Sequence, residues 1–202
     1  MAERMRTFVQ IKNNCLGIIL AGGQSSRMGC DKAYVKLHNK TFYFHMEKLL
    51  LDVQLSSICI SGKPLGEKSV EDVISNLGPL SGIYSVANSE IAKQYQYLLI
   101  VPIDMPLLNV SVIETLLSNI NGNDAICYQD HYLPLLIKKD SSFMKQLQWF
   151  MYQPSYSLSI KNFLNCLSTK YIKIAQDQQP CFKNINTIDD LKYVTQTMRL
   201  EQ

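Results

Sequence analysis

The sequence predicts an α/β protein, with a mostly parallel sheet covered by helices on both faces in three layers. Short continuous apolar runs at 15–20 and 97–101 are bounded by turn-forming residues, as strands buried on both faces are. Segments with helical apolar spacing alternate with such runs along the chain. The first run leads directly into a glycine-bearing polar loop, LAGGQSSRMGCDK at 20–32, where an open α/β sheet binds its ligands.

In chain order, Cys15-Leu16-Gly17-Ile18-Ile19-Leu20 is the first strand. Arg4, Arg6 and Lys12 ahead of it give a superficial likeness to a signal peptide. The apolar run is only six residues, however, and ends in the glycine loop rather than a small-residue cleavage site, so it is read as a buried strand. Residues 43–51 place Phe44, Met46, Leu49 and Leu50 near helical spacing. A strand over 55–60 ends at the Ser61-Gly62 turn. Gly78-Pro79-Leu80-Ser81-Gly82 opens a helix with Pro in its first turn and Ile83, Val86 and Ala87 inward. The strand at 97–101 stops at Pro102. A helix over 111–120 has Ser111 as its N-cap and Glu114 completing a capping box. Strands at 125–128 and 135–137 flank an Asp130-His131 turn. Helices follow at 143–150 and 159–167, then a strand at 171–174. Thr187 caps a last helix over 188–198, with Asp189 and Asp190 in its first turn.

Composition narrows the function. The chain has 202 residues, enough for one full core, with 47% hydrophobic and 18% charged residues. A net charge of +3 gives no reason to expect a nucleic-acid polymer as partner. No apolar stretch is long enough for a membrane helix, so no membrane is expected. Cysteines 15, 30, 59, 127, 166 and 181 are scattered without a CxxC pair. That fits reduced thiols in the cytoplasm rather than a disulfide framework or zinc site.

The glycine loop has the parts of a polyphosphate site. Gly22 and Gly23 let backbone N–H groups approach a ligand closely, and successive N–H groups in a turn form an anion nest. Arg27 adds a planar cation suited to phosphate oxygens and Lys32 a point charge. Five residues separate Gly23 from Gly29 and Lys32 is not adjacent to that glycine, so the loop is not a Walker A motif. It also lacks the GxGxxG dinucleotide fingerprint. The bland alternative is a plain βα turn with stray charges. Asp104, between Pro102 and Pro106 at a strand's end, projects its carboxylate to the ligand side. A carboxylate there, joined by phosphate oxygens and water, suits Mg²⁺; otherwise it is a solvent-exposed turn residue.

LAGGQSSRMGCDK closely resembles the signature of small Rossmann-like nucleotidyltransferases, and its DK ending most resembles the molybdenum cofactor guanylyltransferase (MobA) family. Gly78-Pro79-Leu80-Ser81-Gly82 resembles that family's GPLAG segment. Val101-Pro102-Ile103-Asp104-Met105-Pro106 resembles its P-x-D-x-P strand end, and Phe182-Lys183-Asn184-Ile185-Asn186-Thr187 its late NINT. These segments stand in family order across nearly the whole chain. The resemblance implies a three-layer α/β/α Rossmann-like nucleotidyltransferase fold and a single domain over 1–202. Within it, 15–110 mainly bind the nucleotide and 111–202 the acceptor. It implies GMP transfer from Mg-GTP to the terminal phosphate of molybdopterin or molybdenum-molybdopterin, with Mg²⁺ as cofactor. Arg27, Lys32 and Asp104 are the implied catalytic residues, Asp104 also holding the metal. Leu20, Ala21, Gly22, Gly23, Lys32, Ser61, Asp72 and Asp104 are the implied nucleotide contacts; Asn184 and Asn186 are implied near the active site as acceptor contacts, to the pterin phosphate or alternatively to the nucleotide. Ser61 stands where family members carry an Asn, and Glu71 competes with Asp72 in the alignment. The two asparagines equally suit Asx-type turn bonds. Implied protein partners are a molybdenum-insertion protein and apo-molybdoenzyme chaperones.

No triad neighbours His45 or His131: His45 reads as a packed side chain, and His131 precedes a Leu133-Pro134 segment similar to one near the family's acceptor site. Trp149, Phe150 and Tyr152 suit an acceptor platform or, more commonly, the core. The same fold admits a cytidylyltransferase or a sugar-phosphate nucleotidyltransferase. A non-catalytic GTP-binding cofactor-insertion protein is the alternative from another class.

Overall fold

Strand β1, Cys15–Leu20, is buried along its whole length, and the strands beside it set the geometry of the protein. The computed structural model of the chain describes residues 2–22, 31–65, 68–74, 78–153 and 157–200. After β1 come a hairpin, β2 (Lys36–Leu37) and β3 (Lys40–Thr41), then β4 (Ser57–Ser61), β5 (Ser69–Val70) and β6 (Tyr97–Pro102). The second half adds β7 (Ala125–Tyr128), β8 (His131–Lys138) and β9 (Thr169–Ile172). Among the described residues, seven of these strands form one sheet in the order β5-β4-β1-β6-β8-β7-β9. β1 pairs in parallel with β4 on one side and β6 on the other. β8 alone runs against its neighbours, antiparallel to β6 and β7. The β7–β8 turn carries Asp130 at φ 62, a conformation that Asp tolerates better than most residues.

Period-2 alternation sends successive side chains to opposite layers. Cys15 and Ile19 of β1 join Ile60, Leu99 and Val101 in one core cluster, while Leu16, Ile18 and Leu20 join Leu98 and Ile100 in the other. The first cluster is covered by α1 (Ala2–Asn13), α2 (Phe42–Asp52), α4 (Val110–Asn119) and α7 (Ile188–Leu200). The second is covered by α3 (Pro79–Ala87), α5 (Ser141–Met151) and α6 (Ile160–Leu164). Each Leu or Ile so buried contributes about 1.5–3 kcal/mol of transfer free energy. Two clusters on opposite faces of one sheet make the three layers expected from the sequence. No helix among the described residues is long and apolar enough to cross a membrane.

Local sequence accounts for most boundaries. Thr41 caps α2, its hydroxyl accepting from the Phe44 N–H, and the helix buries Phe42, Met46, Leu49 and Leu50. Phe44, expected inward, is exposed because the apolar stripe starts at Phe42 instead. Pro79 occupies the first turn of α3. Asp140 caps α5. The expected capping box at Ser111 and Glu114 does not form. Asn109 is the N-cap of α4, its Oδ1 accepting from the Val112 N–H at 3.0 Å. Glu114 instead accepts from Lys12 Nζ at 3.0 Å, tying α4 to α1. α1 itself was not expected, since its apolar residues are sparse: Met5 and Val9 are exposed and Ile11 is buried. Strand β8 is longer than the expected 135–137, and β9 begins and ends two residues before the expected 171–174.

Replacing the N-cap amide separates the two capping assignments. Asn109→Ala should lower unfolding free energy by about 1 kcal/mol, and Ser111→Ala by less than about 0.5 kcal/mol, in urea titrations.

Candidate active site

In an open α/β sheet, ligands bind beyond the carboxyl ends of the strands where the chain changes direction across the sheet. Here that point lies between β1 and β6. From β1 the chain builds outward to β4 and β5, then returns to lay β6 on β1's other side. The two strand ends are held together, since the Ile103 N–H donates to the Leu20 carbonyl at 3.1 Å. Leu20, Ala21 and Gly22 leave β1 here, and Pro102 and Asp104 mark the end of β6. All five line a cleft of about 1380 Å³.

Lys32 returns to the same place. Asp31 initiates the short helical turn Lys32–Tyr34, its Oδ1 accepting from the Ala33 N–H at 3.0 Å. The other Asp31 oxygen pairs with Lys63 Nζ at 2.6 Å. So anchored, Lys32 extends its ammonium to 2.8 Å from Asp104 Oδ2, and both side chains stay about one-fifth exposed, at 19% and 23%. Seventy-two positions apart in sequence, the expected cation and carboxylate meet in one cleft. Gly23 and Arg27, the other members of the expected phosphate loop, lie outside the described residues.

The late asparagine segment closes on this pair. Asn186 Oδ1 accepts from Lys32 Nζ at 2.5 Å, and the Ile185 N–H donates to the Asp104 carbonyl at 2.8 Å. Asn184 is exposed and lines the cleft. Asp190 holds the segment in shape. Its Oδ2 accepts from the Asn186 N–H at 3.1 Å, the Thr187 N–H at 3.0 Å and the Thr187 hydroxyl at 2.8 Å. The Thr187 hydroxyl in turn accepts from the Asp190 N–H at 3.1 Å, a reciprocal cap on α7. Lys183 pairs with the other Asp190 oxygen at 2.9 Å. Lys183, the Thr187 hydroxyl and the Asn186 N–H hold the Asp190 carboxyl well below the usual carboxylate range. The structure thus gives Asn186 the ammonium of Lys32 as a partner, and leaves the turn itself to Asp190.

Ser61 and Asp72 meet on the β4 side. The buried Ser61 hydroxyl donates to Asp72 Oδ1 at 3.0 Å, while the neighbouring Glu71 side chain is exposed. This corner is packed too tightly for side chains. A Cβ on Gly62, whose φ is +85°, would lie 2.7 Å from the Gly22 Cα, and one on Gly82 would lie 2.5 Å from the Ser61 hydroxyl. Gly22 itself faces Asp72 Oδ2, which would lie 3.1 Å from an added Cβ. The Asp72 carboxylate therefore rests against the backbone of the β1 loop.

The far wall of the cleft comes from the second half of the chain: His131, Tyr132, Tyr152, Ser157, Ser159 and Lys161. The His131 ring lies 5.0 Å from that of Phe182. Tyr152 is exposed and meets Tyr84 edge-on with ring centroids 6.4 Å apart. Phe150 is buried core, and Trp149 is half exposed outside the cleft wall. His45 is packed, its Nε2 lying 2.9 Å from the Leu37 carbonyl. Lys161 and Tyr132 went unnoticed in the sequence because neither sits in a motif. Burial pushes the Cys59 and Cys127 thiols up to about 12, which removes them as nucleophiles near neutral pH.

Comparisons with known proteins bear on the family and the fold. The MobA-like NTP transferase domain family matches residues 17–158. A molybdenum cofactor guanylyltransferase from Xanthomonas euvesicatoria pv. vesicatoria is 32% identical over 172 residues, covering 85% of this chain and 89% of its own. A probable molybdenum cofactor guanylyltransferase from Thermococcus sibiricus is 29% identical over 196 residues, covering 89% of this chain and 96% of its own. Among solved structures, molybdopterin-guanine dinucleotide biosynthesis protein A from Archaeoglobus fulgidus superposes with a TM-score of 0.73 at 20% identity, over 92% of this chain and 99% of that one. A 4-diphosphocytidyl-2C-methyl-D-erythritol synthase from Anaerococcus prevotii shares the fold with a TM-score of 0.71 at 10% identity, over 95% and 99%.

The Asp190 carboxyl titrates lower folded than unfolded, so it stabilises the fold above the unfolded pKa of about 4, and that contribution is lost as pH falls through the folded value. Asp190→Asn should therefore be less stable than wild type at pH 7, by urea midpoint. The gap should narrow as pH drops below about 4.

Proposed function

The chain belongs to the family of MobA-like NTP transferase domains, and from that premise we propose that it transfers GMP from GTP to the terminal phosphate of molybdopterin, with or without its molybdenum. The products are the guanine dinucleotide and pyrophosphate. The observation that carries this reading is the 2.8 Å approach of Lys32 to Asp104 beside the joined ends of β1 and β6. It supplies a cation and a carboxylate where a triphosphate lies against the β1 loop.

In this reaction an oxygen of the acceptor phosphate attacks the α-phosphorus of GTP. The bond from that phosphorus to the bridging oxygen breaks, and the electron pair leaves with pyrophosphate. The nucleophile is already anionic, so the chemistry needs no strong general base. What it needs is relief of repulsion between two anions and in-line placement. Lys32 stabilises charge developing on the leaving group, a task the sequence also assigns to Arg27.

The residues fit Mg²⁺. Asp104 opens on the cleft, and a hard carboxylate is the donor that Mg²⁺ takes. Asp104 would hold the ion together with phosphate oxygens and water, and magnesium there would neutralise the triphosphate charge.

Base selection is assigned to the corner of Leu20, Ala21, Gly22, Ser61 and Asp72. An ionised carboxylate only accepts hydrogen bonds. Guanine offers two adjacent donors on its Watson–Crick edge, where cytosine offers one beside an acceptor. The Asp72 carboxylate lies behind Gly22 rather than among the cleft's lining residues, and a base that reaches it there would favour GTP over CTP; its bond from Ser61 fixes its direction. The acceptor takes the second half of the cleft, where Tyr132 and Tyr152 offer aromatic surface and Lys161 and Asn184 polar groups for its phosphate. At about 1380 Å³ the cleft exceeds the ~300–1000 Å³ common for one small ligand, as two substrates require. Residues 15–110 thus mainly serve the nucleotide and 111–202 the acceptor, in the cytoplasm, with a molybdenum-insertion protein and apo-enzyme chaperones as expected partners.

Incubation with GTP, Mg²⁺ and molybdopterin should yield the guanine dinucleotide by mass analysis, and GTP binding without pyrophosphate release would defeat the enzymatic reading. Lys32→Ala and Asp104→Ala should each cut turnover at least ~100-fold, the scale of one preorganised electrostatic contact. In competition between labelled GTP and CTP, Asp72→Asn should lose at least ~10-fold of the guanine preference.

A further inference from the structure

The Lys32–Asp104 pair sets a condition on how the site is filled. The Asp104 carboxylate is to face a divalent cation, and the Lys32 ammonium a phosphate oxygen. In the structure these two groups face each other, 2.8 Å apart. A divalent ion at Asp104 meets an ammonium within a few ångströms, in a cleft where both side chains are largely withdrawn from water. Their repulsion is correspondingly strong. A bare metal brings nothing to receive Lys32. A metal–nucleotide complex brings phosphate oxygens that take the ammonium as the carboxylate lets it go.

The second acceptor on Lys32 is the neutral Asn186 Oδ1, at 2.5 Å. Its backbone is fixed from both sides, by Ile185 N–H to the Asp104 carbonyl at 2.8 Å and by Asn186 N–H to Asp190 at 3.1 Å. Asn186 can therefore hold its bond to Lys32 while Asp104 changes partner. A neutral amide holds the ammonium without competing for the metal.

We propose that Lys32 is a resident counter-ion that guards the metal-binding carboxylate, and that Asn186 is the positioning residue that keeps the ammonium at hand during the exchange. The site then refuses a bare divalent cation and admits one together with the nucleotide's phosphates. The inference rests on the assignment of Asp104 as the metal residue.

The test uses Mn²⁺ alone, titrated into the intact chain without nucleotide and followed by loss of the free ion's paramagnetic resonance signal. Lys32→Met, which keeps most of the length and drops the charge, should bind bare Mn²⁺ about 10-fold tighter than wild type, since the competent fraction of sites is no longer limited by the closed pair. Lys32→Gln gives a second reading of the same point, and Lys32→Arg should stay at the wild-type level. Asn186→Ala should weaken GTP binding in the presence of Mn²⁺ in the wild-type background, and cause no further loss in the Lys32→Met background. If both neutral Lys32 variants fold and bind bare Mn²⁺ no tighter than wild type, the guard is overturned. An Asn186→Ala loss that persists undiminished without Lys32 overturns the positioning role. Asp104→Ala distinguishes these failures from failure of the underlying reading. If Mn²⁺-dependent GTP binding survives that change, the metal assignment falls and the guard with it.

Discussion

Two parallel strands that end side by side organise this protein. β1 and β6 are buried along almost their whole length, and the Ile103 N–H to Leu20 carbonyl bond carries their pairing one step past the sheet. Apolar side chains from these strands fill both cores, so neither strand can slide without moving its residues to the wrong layer. Whatever leaves their carboxyl ends is therefore placed firmly relative to the other. Gly22 and Asp104 inherit their proximity from this register, and Lys32 needs only the short Asp31-capped turn to reach the same point.

The polar groups are then held in concentric sets. Lys32 is held by Asp104 and Asn186; the Asn186 turn is held by the Asp104 carbonyl and by Asp190; Asp190 is neutralised by Lys183. Each member is satisfied by the next one outward, which is how a partly buried charge network stays ordered. The arrangement also joins the two halves of the chain, since the ammonium of Lys32 has its second acceptor in the C-terminal segment.

Sequence reasoning reached the elements whose burial is two-sided. The runs at 15–20 and 97–101 are continuous because both faces are covered, and they emerge as β1 and β6 with almost unchanged limits. Elements governed by partners far along the chain were less legible. α1 has a poor apolar stripe and is held against α4 by the Lys12–Glu114 pair, which no local pattern encodes. That same pair takes Glu114 out of the expected capping box, leaving Asn109 to cap the helix. The reversed direction of β8 follows from the short turn at Asp130, since so tight a link joins only antiparallel strands. In the site, Lys32 and Asp104 were legible as separate residue types in family-like segments. Their contact, and the claim of Asn186 on the same ammonium, depends on three loops meeting in space.

The corner of Gly22, Gly62 and Gly82 shows how one residue change is absorbed. An Asn at position 61 would have a longer side chain than the Ser that stands there. The Ser61 hydroxyl sits 2.5 Å from where a Cβ on Gly82 would be, and the Gly62 backbone presses on Gly22. A short hydroxyl fits, and it donates to Asp72 rather than reaching the ligand side itself. Under the proposed assignment, a carboxylate braced by a hydroxyl serves where the resemblance implies an amide, and the contact moves from β4 to the segment after β5. A braced carboxylate accepts hydrogen bonds and cannot donate them, whereas an amide does both. Under the proposed assignment, Asp72 therefore narrows the set of bases the corner can satisfy.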